Sequence, residues 1–140
     1  MNVLLVNDTE KYKSNGIFKV YHIDDLDDIC DGECSNIYLQ DDLINYFPYC
    51  QLYIFLYNIL QKVSITGSIT VSGVDIELLA KDIIHNNIKE ELNNIILSLN
   101  NATRWIEIRD YFLMNGFKIK RVELNGPYFI VEAENDQNNL

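Results

Sequence analysis

Hydrophobic and polar positions along this chain follow two periods: short β-prone runs, and longer stretches in which apolar residues recur every three or four positions. Val3-Leu4-Leu5-Val6 is a continuous apolar run bounded by polar residues, the pattern of a strand covered on both faces near a sheet centre. After the polar segment Asp8–Gly16, Ile17–Ile23 reads as a second strand ended by Asp24-Asp25, and a helical turn over Leu26–Ile29 is broken at Asp31-Gly32. Asn36–Leu39 predicts a third strand, and Asp41–Phe47 a short helix stopped by Pro48. The stretch from Tyr49 to Val63 predicts a long helix, with Leu52, Phe55, Leu56, Ile59, Leu60 and Val63 on one face toward the sheet. Thr66-Gly67-Ser68 then turns the chain into a strand Ile69–Val71.

Asp75 is placed to cap a helix carrying Ile76, Leu79, Ala80, Ile83 and Ile84, which Asn86-Asn87 interrupts. A further helix follows on the stripe Ile88, Leu92, Ile95, Ile96 and Leu99, and a last one from Thr103 ends at Gly116 as a left-handed stop. Alternation from Ile119 to Leu124, the pair Asn125-Gly126 and the run Tyr128–Ala133 predict a hairpin with a type I′ turn. Pro127 cannot donate to a ladder, so it is expected at the first residue of the return strand.

Length and composition narrow the class. With 140 residues and 48% hydrophobic content the chain suits one domain over residues 1–134, followed by a polar tail over 135–140. No apolar run approaches the ~20 residues that span a bilayer, and Met1–Val6 lacks the basic start of a secretory signal, so the expectation is a soluble, cytoplasmic protein with no membrane partner. A net charge of −10 argues against nucleic acid as a partner, and the local basic group Lys118, Lys120 and Arg121 reads as the solvent side of a strand. Cys30, Cys34 and Cys50 are an odd number without an export signal, so reduced thiols are expected rather than disulfides or a zinc site. Seventeen asparagines and nineteen isoleucines mark an AT-rich coding sequence, of the kind found in bacterial and viral genomes; a viral source would place the protein in the host cytoplasm or the virion.

Strands alternating with helices and closed by a hairpin predict an α/β fold: a mostly parallel sheet of about six strands with helices on both faces and one antiparallel C-terminal hairpin. Ser35-Asn36-Ile37-Tyr38-Leu39-Gln40-Asp41-Asp42-Leu43-Ile44-Asn45-Tyr46, then Gly67, then Ser72-Gly73-Val74-Asp75-Ile76, then Phe112-Leu113-Met114-Asn115-Gly116-Phe117 fall in the order and spacing of the Rossmann-like S-adenosylmethionine-dependent methyltransferases. From about residue 35 to 133 the chain resembles a truncated member of that family. The resemblance implies S-adenosylmethionine as cofactor if the protein is active, held by a glycine-rich turn after the first strand and an acidic residue after the second.

The front of the chain departs from that pattern. Gly16 stands alone between Asn7 and Ile17, and nine residues are too few for a helical parallel crossover of about a dozen or more. Candidate cofactor contacts are therefore limited to Asn7, Asp8, Asp24, Gln40 and Asp41, at the C-terminal ends of the first three strands, where open α/β sheets bind ligands. Asp24 or Asp25 suits ribose hydroxyls, with a helix cap or a solvated turn the competing and commoner role; Gln40 and Asp41 suit a crevice, with Asp41 or Asp42 as an N-cap the competing role. His22 and His85 have no triad partner at recognisable spacing. Tyr49, Tyr53 and Tyr57, with Ile54, form a second apolar side on the long helix, to be covered by a neighbouring helix or by another subunit. The expected function is a degenerate methyltransferase-like scaffold that self-associates or docks a protein partner, with no cofactor; the alternative is an active small methyltransferase with a shortened cofactor loop.

Overall fold

The computed structural model describes residues 1–86 and 99–136. Six strands form one sheet in the order β2-β1-β3-β4-β6-β5, with β1 Asn2–Val6, β2 Lys19–His22, β3 Cys34–Leu39, β4 Val63–Val74, β5 Phe117–Asn125 and β6 Tyr128–Asn135. The β1/β2, β1/β3 and β3/β4 pairs are parallel, and β6 pairs antiparallel with both β4 and β5. A 3-10 helix covers Ile23–Asp28, and the α-helices are α1 Leu43–Tyr46, α2 Tyr49–Lys62, α3 Ile76–Asn86 and α4 Trp105–Met114. The helix expected over Ile88–Leu99 lies, except for its last residue, outside the described residues.

Inward-pointing residues of the strands build one core. Val3, Leu5, Ile37, Ile69, Val71, Val131 and Ala133 are fully buried against Leu52, Leu56 and Ile59 of α2 and Ile108 and Phe112 of α4. The i, i+3, i+4 spacing on α2 gives the helix its sheet-facing stripe.

Among the described residues, the other face of the sheet carries polar positions. Cross-strand neighbours Asn2, Asn36, Ser68, Glu134 and Lys118 form a polar row across five strands on the other face. Asn36 Nδ2 donates to Asn2 Oδ1 at 2.9 Å, Ser68 Oγ donates to Asn36 Oδ1 at 2.6 Å, and Lys118 pairs with Glu134 at 2.7 Å. Parallel strands buried on both faces read as continuous apolar runs, whereas β4 alternates Ser68, Thr70 and Ser72 with Ile69, Val71 and Gly73. That face is suited to water. The β1–β2 connection, residues 7–18, is a loop without a helix. Its Phe18 packs edge-on against Tyr38 at 5.0 Å. Glu132 on this face pairs with both Lys120 and Arg121, at 3.5 and 3.2 Å. Because the cations are half exposed, Glu132→Gln is expected to cost under ~1 kcal/mol by urea denaturation.

Several local expectations are corrected. The second strand begins at Lys19 rather than Ile17, because Asn15 Oδ1 accepts the Ile17 and Phe18 amides and holds them in a turn. The connection is therefore twelve residues, not nine, and still forms no helix. Thr66–Ser68 is no turn: α2 passes directly into the twelve-residue β4. Gly67 instead permits close approach, since a Cβ there would lie 2.8 Å from the Cys34 carbonyl oxygen, beside the shift in β3/β4 register. The hairpin loop is Gly126-Pro127, with φ +58° at Gly126 and no positive φ at Asn125, so it resembles type II′ rather than type I′. Pro127 thus sits in the turn, where its missing N–H costs nothing. Gly116 adopts φ +82° as expected. β6 runs on through Asn135, and the Asp136 N–H donates to Gly116 O, so the sheet extends past the predicted domain end at 134.

Candidate functional site

Strand order reverses between β1 and β3, because β2 lies on one side of β1 and β3 on the other. The C-terminal ends of these strands are the crevice where open α/β sheets bind ligands. Asn7 follows β1, His22 ends β2, and Gln40 follows β3. The three side chains and backbones interlock. The Asn7 N–H donates to Gln40 Oε1 at 3.1 Å, and the Asn7 carbonyl oxygen lies 3.1 Å from His22 Nε2. His22 Nδ1 accepts the Asp24 N–H at 3.0 Å, so in the neutral ring Nε2 carries the hydrogen and donates to Asn7 O. The Gln40 N–H in turn donates to Leu5 O at 2.9 Å.

Of the candidate cofactor residues, Asn7 and Asp24 contact His22, Gln40 joins them through the Asn7 N–H, and Gln40 and Asp41 line one cavity. Asp8 accepts the Glu10 N–H in a local turn. Asp24 points its carboxylate to solvent, its side chain 85% exposed, and stands 3.4 Å from His22 Nδ1. The cap of the 3-10 helix is His22, not Asp24 or Asp25. Asp41 accepts a hydrogen bond from Ser72 Oγ at 3.1 Å. Asp42 takes the N-cap position of α1 in a left-handed conformation, φ 57°, without a side-chain cap bond. Its residue is exposed overall, but crowding of the carboxyl by protein atoms, and then the charge of Asp41, push its pKa up.

Asp41, Ser72 and Ile130 are shared by two adjoining cavities of about 420 and 410 Å³. The first is walled by Tyr12, Phe18 and Tyr38; the second runs toward Glu123, Asn125 and Tyr128. The charged side chains on these walls are the carboxylates Asp41, Asp42 and Glu123 and the cation Arg121, which is already paired with Glu123 and Glu132.

Sequence reasoning weighed His22 only as a triad member and set it aside; its cue was its position two residues before Asp24 at a strand end. It also missed the polar group behind α1. Asn45 is buried and pairs with the end of β4, accepting Val74 N–H at 2.9 Å and donating to Val74 O at 3.2 Å. Asn101 Nδ2 donates to the Ile44 and Phe47 carbonyls, and Thr103 donates to Asn101 Oδ1.

On the long helix, the predicted interface residues separate. Tyr53 is half-buried against Tyr111 of α4, with ring centres 5.0 Å apart and the Tyr111 hydroxyl donating to Tyr53 O at 3.2 Å. Burial, then neighbouring Tyr49, pushes its phenol pKa up. Tyr49, Ile54 and Tyr57 stay exposed, at 55, 64 and 51%.

No family model and no curated protein matches the sequence. Solved structures do. A S-adenosylmethionine-dependent methyltransferase from Mesorhizobium loti superposes with a TM-score of 0.63 at 10% identity, over 95% of this chain and 89% of that one. One from Archaeoglobus fulgidus gives 0.62 at 12% identity, over 95% and 85%. An O-methyltransferase family protein from Burkholderia thailandensis gives 0.61 at 12% identity, over 86% of this chain, which spans only 36% of that protein. The fold is the Rossmann-like methyltransferase fold.

Within that methyltransferase fold, the residues after β1 do not reproduce a glycine-rich cofactor cradle. Such a cradle uses glycines so that backbone amides can come close to the ligand. Here the Asn7 amide and carbonyl are both spent on Gln40 and His22. A Cβ at Gly16 would meet nothing within 4 Å, and Gly16 is not left-handed, so neither close approach nor backbone freedom calls for glycine there. Among the described residues, no helix long and apolar enough to cross a membrane accompanies this methyltransferase sheet.

Proposed function

We propose that this chain uses the methyltransferase fold as a non-catalytic scaffold that docks another protein. Asn7 carries the reading: at the ligand-binding end of β1, its backbone N–H and carbonyl are both satisfied within the chain, so neither is left for a ligand. The exposed Tyr49, Ile54 and Tyr57 on α2 supply contact surface of the kind enriched at interfaces. The reading includes a viral source and action in the host cytoplasm or virion, supported by the asparagine- and isoleucine-rich composition.

A second reading, a small active methyltransferase with a shortened loop, is favoured by one observation: the two cavities that meet at Asp41 and Ser72. Calorimetric titration with S-adenosylmethionine and S-adenosylhomocysteine separates the two. The scaffold predicts binding weaker than ~1 mM, about −4 kcal/mol, for both ligands. Micromolar binding by the isolated chain would defeat it.

A further inference from the structure

Between Lys19 and Lys62 the chain contains no lysine or arginine, yet it carries Asp24, Asp25, Asp27, Asp28, Asp31, Glu33, Asp41 and Asp42. Eight of the twenty-one acidic residues thus fall in a stretch without Lys or Arg, and of them Asp31 pairs with Lys62 at its end, at 2.9 Å. The structure gives part of this charge a shape. Two short 3-10 turns joined by a kink at Asp25 bury Leu26 and Ile29 and leave Asp24, Asp25, Asp27 and Asp28 exposed.

Beside that helix runs a groove of about 350 Å³, shared with the first half of α2. Its apolar part comprises Leu26, the stacked rings of Phe47 and Phe55, 4.2 Å apart, and Ile54; Asp24 and Asp27 stand on its edge. Ile54 is a β-branched residue left 64% exposed on this wall. Among the described residues, Asp25, Asp27 and Asp28 take part in no ion pair, and Asp24 has only His22. An apolar trough edged by unneutralised carboxylates complements a segment that is apolar on one side and cationic around it. A second copy of this chain, itself at −10, would bring like charge to the same place.

We propose that the groove between the 3-10 helix and α2 docks a basic amphipathic segment of another protein, seating an apolar side chain against Ile54, Phe47 and Phe55 and its Lys or Arg residues beside Asp24 and Asp27. The inference rests on the scaffold reading and names the partner's chemistry.

The probe is a fluorescein-labelled peptide of about twelve residues, with Leu or Phe at every third or fourth position and Lys elsewhere, followed by anisotropy at ~0.15 M salt. Ile54→Ser, and the pair Asp24→Asn with Asp27→Asn, are each expected to weaken binding about tenfold or more. Glu123→Gln with Glu134→Gln removes the same charge at the opposite edge of the sheet and is expected to change binding less than about twofold. Equal losses from both charge pairs would mean diffuse attraction and overturn the proposal. So would absence of binding to the native protein, or sedimentation showing a dimer that Ile54→Ser dissolves. S-adenosylmethionine titration on the same samples keeps the two failures apart. Tight cofactor binding defeats the scaffold reading, whereas loss of the contrast between variants defeats only the groove.

Discussion

Replacing Asp75 by alanine is expected to destabilise the protein by about 3–4 kcal/mol, the sum of a lost helix cap and a stranded, part-buried donor. Asp75 is 1% exposed and follows β4 directly. Its Oδ1 accepts the Glu77 and Leu78 amides at 2.8 and 2.9 Å, which caps α3. Its Oδ2 accepts the Trp105 amide at 2.7 Å, which fills the same need at the first residue of α4. One carboxylate therefore holds the starts of two helices that leave the same end of the sheet, and its own N–H is fixed by Pro127 O at 2.9 Å. With an m-value of roughly 1–3 kcal/mol/M, the urea midpoint should fall by at least ~1 M. Asp75→Asn keeps one acceptor but turns an NH₂ group toward Trp105 or the α3 start, so an intermediate loss is expected. A midpoint unchanged in Asp75→Ala would show that the two helices are held by packing alone.

Gly67→Ala is expected to cost about 2–3 kcal/mol, at the upper end of what overpacking does. The added methyl would lie 2.8 Å from Cys34 O and 2.9 Å from Ser35 O, both backbone atoms of the adjoining strand, and 2.8 Å from Ser64 Oγ. Ser64 can rotate away; the two carbonyls can yield only if β3 and β4 separate. Gly16→Ala is the matched comparison, since open space surrounds that position and its φ is not left-handed. It should leave stability within ~0.5 kcal/mol of the native protein. If the two alanine variants melt together, the tight β3/β4 approach is not what glycine serves at position 67.

Much of this was legible in the chain. The α2 stripe, the Asp75 cap, the Gly116 stop and the terminal hairpin each depend on residues within a few positions of one another, so local spacing reveals them. The polar alternation of Ser68, Thr70 and Ser72 on β4 was not read from the sequence, where a parallel sheet invited the expectation of two covered faces. The candidate site was less legible. Asn7 and Gln40 are thirty-three positions apart and His22 lies between them, so their mutual satisfaction cannot be read from sequence spacing. Asp24 looked like the polar group of that strand end, while the hydrogen bonds went to His22.

By itself, the sequence determined that alternating strands and helices would close with an antiparallel hairpin, and that the first connection would be a loop rather than a helix. Both follow from local propensity. Only the tertiary structure decided what the β1 end offers a ligand, which tyrosines of α2 face solvent, and that Asp75 serves two helices. Those outcomes depend on which distant backbone groups find partners first, and a buried or interlocked N–H has none left to offer.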